Sequence, residues 1–284
     1  MDYAELVCRT NYSFLKATSS PEEIIIKSKD LDYHSIAITD EATVSGSVRA
    51  HICAKSIGIN LIHGSQFWVE DIKSKMFFKF IFLVKNKDGW RELCKLITKS
   101  RSETEKGYYY LNTQIIEHQN IKNCFVLIML NKPVDTEILD YISNWLNQNF
   151  FSNFSIAISN CLVTESLKWQ QTILELSEKK NIKAIATNDV LMGKKSMKPL
   201  LDVLTSIRFN MTIKECGYRI TKNAEQYLKK KSLLGKIYQK ILISNTLKVA
   251  NQCTFSLDEI EYNYPTNISP KKMSDAMWLR HLVK

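Results

Sequence analysis

SIAITDEATVSGSVRAHICAKSIGINLIH, residues 35–63, carries the fold in miniature. Residues 35–39 are small or β-branched, too few for a helix, and end on the acidic pair Asp40-Glu41. That is the signature of a short buried strand. A helix is expected over 45–56, stopped by Gly58, because glycine takes the left-handed backbone that ends helices. A second strand follows at 60–63. Strand, acidic pair at the strand's C-terminal end, helix, strand is the unit from which parallel sheets with helical crossovers are built.

Outward from this unit the cycle recurs. Upstream, 3–8 reads as a strand, and Ser19-Ser20-Pro21-Glu22-Glu23 opens a helix to about residue 31 with a serine cap, an early proline and carboxylates against the dipole. Downstream come a strand at 77–84 and a helix at 90–102 introduced by Lys87-Asp88-Gly89. A strand at 125–130, a helix at 136–147, a strand at 154–158 and a helix at 164–179 follow, and the last clear strand, 184–187, ends on Asn188-Asp189. Six or seven such cycles predict an α/β barrel of about seven strands, joined by helices. Functional groups gather where such strands end, which singles out Asp40, Glu41, Gln66 and Asp189. After Pro199 strong strands cease, and 200–209, 224–231 and 233–253 read as helices.

Composition narrows the classes. A chain of 284 residues, 45% hydrophobic and 24% charged, is that of an ordinary globular protein. Its longest apolar runs, at 77–84 and 124–130, are too short to cross a bilayer, so no membrane partner is expected. MDYAELVCRT lacks a basic leader and apolar run, and the seven cysteines stand singly without CxxC pairs. Both features predict reduced thiols in a cytoplasmic protein. Residues 1–72 carry 6 Lys/Arg against 10 Asp/Glu, and the rest carry 33 against 19. The basic part suits a polyanionic partner. A general lysine bias explains it equally well, because the lysines form no long run.

Several further segments carry a resemblance. They are YAELVCRTNYSFLKATSSPEE (3–23), AITDEATVSGSVRAHICAK (37–55), LIHGSQFWV (61–69), LVKNKDGWRELCKLIT (83–98), EKGYYYL (105–111), IATNDVLM (185–192), KPLLDVLTSIR (198–208), CGYRIT (216–221), NAEQYL (223–228) and NTLKVANQCTFSLDEIEYNYP (245–265). In this order they resemble the N-terminal PHP domain of bacterial error-prone DNA polymerases, relatives of the DNA polymerase III alpha subunit. The resemblance implies a PHP-type distorted β/α barrel over 1–198, a helical extension over 199–260, and at 261–284 a linker at the start of a polymerase palm lying beyond this sequence.

PHP domains of the active kind hold divalent metals on His, Asp and Glu at strand ends, where the ions turn water into a nucleophile against a phosphoester. Aligned on Tyr12-Ser13, the two expected histidines fall at Val7 and Arg9; the glutamate of the GSEF-like segment is Gln66, and a histidine two places after Asp189 is Leu191. The resemblance therefore leaves Asp40, Glu41 and Asp189 as a remnant metal set, able at most to hold a weak magnesium ion. Read from the residues alone, Asp40 and Asp189 are strand-end acceptors of backbone N–H groups, and this is the preferred reading. None of the five histidines rebuilds a ligand pair, and no Gly-rich phosphate loop or Cys–His pair stands out.

The function expected from the resemblance is the PHP portion of an error-prone, translesion-type DNA polymerase, here a non-catalytic structural domain with no cofactor of its own. Its partners would be the palm and fingers, whose carboxylates hold magnesium, with DNA and the sliding clamp engaged through regions outside this sequence. The alternatives are a free-standing PHP-type metal-dependent phosphoesterase or 3′-5′ exonuclease, and a basic nucleic-acid-binding protein.

Overall fold

The computed structural model describes residues 2–130, 135–162, 164–261, 269–270 and 273–283. Of the expected linker at 261–284, residues 262–268, 271–272 and 284 lie outside the described residues. The strands are β1 (Ala4–Glu5), β2 (Ser35–Glu41), β3 (Asn60–Glu70), β4 (Phe77–Val84), β5 (Cys124–Met129), β6 (Phe154–Ser159) and β7 (Ala184–Thr187), in sequence order across one sheet. Between them run α1 (Pro21–Asp30), α2 (Ser47–Ile57), α3 (Lys87–Ser102), α4 (Thr113–Gln119), α5 (Thr136–Phe150) and α6 (Thr164–Lys179). After β7 come α7 (Lys198–Phe209), α8 (Ile213–Cys216), α9 (Lys231–Ile237), α10 (Lys240–Ala250) and α11 (Asp275–Val283). Cys8 bridges Val190 in parallel fashion, so the chain leaving β1 meets the chain leaving β7 and the sheet nearly closes on itself.

Local chemistry accounts for the boundaries. Ser20 caps α1 in a reciprocal pair with Glu23, Pro21 sits at the first turn, and Asn86 caps α3 through Gly89 N–H. Gly58 ends α2 in the left-handed region, φ +66°.

Side chains alternate across the wall of the barrel. Ala37, Ile62, Ile81, Leu83, Leu127 and Ile185 belong to one buried cluster inside it. Ile36, Ile38, Phe80, Phe82, Val126 and Ile156 belong to another, shared with the surrounding helices. Burying such a side chain contributes roughly 1.5–3 kcal/mol. The helical segment after β7 helps close the barrel: Val249, Ala250 and Cys253 join the interior cluster. Asn245 on α10 donates to Ala184 O at 3.0 Å, and Thr246 Oγ1 accepts from Ala4 N at 3.2 Å, which ties α10 to the N-terminal ends of β1 and β7.

Several local expectations are corrected. Not every strand is parallel: β4 runs antiparallel to both β3 and β5. β3 consequently extends to Glu70, because Gly64–Glu70 pair with Leu83–Phe77 in a hairpin. The expected helix at 224–231 is extended chain up to Lys230, since Tyr227 bridges Met192 and Gln226 O accepts from Leu191 N. The helix expected over 233–253 is broken at Tyr238. That residue is extended so that its buried hydroxyl donates to Thr187 O at 2.6 Å and accepts from Asn160 N at 2.9 Å. In each case a long-range backbone partner outweighs local helix propensity.

Candidate functional site

The parallel strands deliver their C-terminal ends to one mouth of the barrel. Antiparallel β4 delivers its N-terminal part there instead. Lys79, opposite Trp68 of β3 and Met129 of β5, shares the inward parity of Ile81 and Leu83 and is almost fully buried. A lysine interrupting FFKFIFLV is the sequence signal that could have drawn attention to it, but its importance depends on which way β4 runs.

Asp40 does not face the other acidic groups. Its Oδ1 accepts from Thr10 N at 2.7 Å and Ser13 Oγ at 2.6 Å, and its Oδ2 accepts from Thr10 Oγ1 at 2.7 Å. Burial pushes its carboxyl up from the usual range, and these bonds offset the push only in part. Asp40 therefore anchors the turn at residues 10–13, as the strand-end reading expects, whereas Asp189, read the same way, takes side-chain partners in place of backbone N–H groups.

Glu41 and Asp189 are brought together through Arg9, whose guanidinium lies 3.6 Å from Glu41 Oε2 on one side and 3.6 Å from Asp189 Oδ1 on the other. Lys16 Nζ pairs with Glu41 at 2.7 Å, and Tyr109 OH donates to the same carboxylate at 2.9 Å. Lys79 Nζ pairs directly with Asp189 Oδ1, while Gln226 Nε2 donates to Asp189 Oδ2 at 3.0 Å. Burial alone would raise both carboxyls. For Asp189 the charges of Lys79 and Arg9 outweigh burial, and for Glu41 those of Lys16 and Arg9 do, so both are held below their ordinary values. Burial brings the Lys79 ammonium down to about 8 against the pull of Asp189, with Arg9 adding repulsion. Asp189 sits in the left-handed region, φ 46°, held there by a bond from its own N–H to Thr187 Oγ1 at 3.1 Å.

Deeper inside, Glu5 accepts from Tyr3 OH, Val7 N, Thr187 Oγ1, Asn188 N and Asn188 Nδ2 at 2.5–3.2 Å. It was not singled out from sequence, although an acid inside the apolar run YAELV is the cue. Burial raises its carboxyl in spite of these donors.

The residues do not fit a metal cluster. Val7 and Leu191 are buried hydrocarbon, Gln66 commits its amide nitrogen to Thr39 O at 2.8 Å, and three cations, Arg9, Lys16 and Lys79, stand beside the carboxylates of Glu41 and Asp189. Among the described residues no group of three or more His, Cys, Asp or Glu is placed to hold a metal ion. His63 lies elsewhere, on the outer side of the sheet, its ring 5.7 Å from those of Trp90 and Phe255 and 6.1 Å from that of His51. Among the described residues no helix is long and apolar enough to cross a membrane.

A nearly closed α/β barrel with one reversed strand and charged groups gathered at one mouth defines the class. The chain belongs to the PHP domain family, whose sequence model matches residues 5–164. Curated relatives extend the similarity over nearly the whole chain. An error-prone DNA polymerase of Ralstonia nicotianae is 33% identical over 290 residues, covering 98% of this chain and 27% of that protein. One from Pseudomonas fluorescens is 34% identical, covering 99% and 26% respectively. The chain thus spans about a quarter of the length of these relatives. Among solved structures, an amidohydrolase from Chromobacterium violaceum with bound sulfate and no metal superposes with a TM-score of 0.54 at 10% identity, covering 71% of this chain and 96% of that one. At that identity the likeness concerns the fold alone.

Proposed function

We propose that this chain is the PHP barrel of an error-prone, DNA-templated DNA polymerase and serves there as a structural domain without phosphoesterase activity. In the longer relatives' architecture the nucleotidyl-transfer carboxylates and their magnesium belong to the palm. DNA and the sliding clamp are engaged by further regions, in lesion bypass and damage-induced mutagenesis in the cytoplasm. The observation that carries the non-catalytic reading is the replacement of donors at the barrel mouth: Val7, Arg9, Gln66 and Leu191 stand where the resemblance expects ligands. Without an ion to lower the pKa of water, two carboxylates already engaged by Arg9, Lys16 and Lys79 offer no nucleophile and no neutralisation of phosphoryl charge.

The test is metal analysis of the purified chain together with 3′-5′ exonuclease and phosphomonoesterase assays in Mn2+, Zn2+ and Mg2+. Substoichiometric metal and no turnover above the Asp189→Ala variant are expected. Stoichiometric metal, with turnover abolished by Asp40→Ala and Asp189→Ala, would establish the phosphoesterase instead.

A further inference from the structure

We infer that Lys79, assisted by Arg9, is a built-in counter-ion: its ammonium supplies across the barrel mouth the positive charge that a divalent ion would supply to Asp189 and Glu41, making closure of this barrel independent of metal. The inference rests on the reading of the barrel as non-catalytic and assigns that site a resident charge.

Four observations carry it. Lys79 belongs to β4 and Asp189 follows β7, and β5 and β6 lie between them in the sheet, so their ion pair is a tie that no backbone ladder provides. Only because β4 is antiparallel does an inward residue near its start reach the same end of the barrel as Asp189. The remaining positions around the carboxylates are already filled. Arg9 lies between Glu41 and Asp189, Lys16 and Tyr109 hold Glu41, and Gln226 takes the second oxygen of Asp189. With three cations facing two carboxylates, a divalent ion entering here would meet net repulsion. Lys79 is also nearly inaccessible, and a buried ammonium is tolerated only with a paired, hydrogen-bonded partner. Losing Asp189 therefore strands the Lys79 ammonium, losing Lys79 leaves buried Asp189 with only the more distant Arg9 as counter-charge, and losing both strands neither.

The experiment is a double-mutant cycle on the full chain, Lys79→Met, Asp189→Asn and the pair together, followed by thermal denaturation in EDTA and in excess Mn2+. The wild type is expected to melt at the same temperature in both. Lys79→Met is expected to melt lower by roughly 6–12 °C, to regain part of that loss in Mn2+, and to be rescued in part by the added Asp189→Asn. Should Lys79→Met fail to fold, recovery of a folded protein in the double variant carries the same meaning. Additive losses, a wild type that melts lower in EDTA, or a Lys79→Met protein indifferent to Mn2+ would overturn the inference. Additive losses without nuclease activity would remove the counter-ion inference alone. Coupled losses with metal-dependent nuclease activity would remove the functional reading alone.

Discussion

Asp40→Ala separates a structural acid from a metal ligand, because the two roles predict opposite responses to chelation. The wild-type carboxylate receives three donors at 2.6–2.7 Å, one from the backbone of Thr10 and two from the hydroxyls of Thr10 and Ser13. Both donor residues are buried, so water does not readily replace the lost acceptor. A buried donor left unsatisfied costs about 1–3 kcal/mol. Of the three, the Thr10 N–H has least freedom to turn elsewhere, whereas the hydroxyls can rotate. Allowing for that relaxation, the loss is about 3–5 kcal/mol, or roughly 6–15 °C in Tm for a protein of this size. Asp40→Asn keeps one carbonyl oxygen as an acceptor and should lose less than half as much. Circular dichroism melts of wild type and both variants, each in EDTA and in Mn2+, measure the difference. The reasoning is refuted if Asp40→Ala costs less than about 1 kcal/mol, or if EDTA lowers the wild type to the level of the variant.

Two further outcomes follow from the same structure. His63 is buried among Trp90, Phe255 and His51, and burial, reinforced by the nearby His51, lowers its pKa from 6.5 to about 4. The unfolded chain therefore binds a proton that the folded one refuses: stability is complete above about pH 6.5 and declines by up to about 3 kcal/mol as pH falls toward 4. His63→Phe should flatten that part of a urea-denaturation profile taken against pH, and an unchanged slope would exclude His63 as its source. At Gly89 an added Cβ would stand 2.2 Å from Asn123 O, a backbone atom that cannot swing aside. Gly89→Ala is thus expected to cost about 1–3 kcal/mol by overpacking, in spite of alanine's better helix propensity, and a variant more stable than wild type in chemical denaturation would contradict the close approach.

Much was settled by the chain's local character. The β/α rhythm, the caps at Ser20 and Gly58, and the replacement of expected ligands by Val7, Arg9, Gln66 and Leu191 are properties of neighbouring residues or of single positions in a motif, so they could be read before any fold was known. Asp40 was legible as a strand-end acceptor from its place after the apolar run of β2, but its donors, Thr10 and Ser13, lie 30 and 27 residues away and were not. The direction of β4 was not legible, since an apolar run of eight residues looks the same whichever way it enters a sheet. On that direction depended whether Lys79 would reach Asp189, 110 residues away, or another part of the barrel. Arg9 read only as a missing histidine until closure of the barrel set it between Glu41 and Asp189. The helix expected at 224–231 gave way to pairing with the segment after β7. Ion pairs across a barrel and backbone pairing between distant segments are decided by closure, which brings together residues whose separation in sequence carries no signal of their contact.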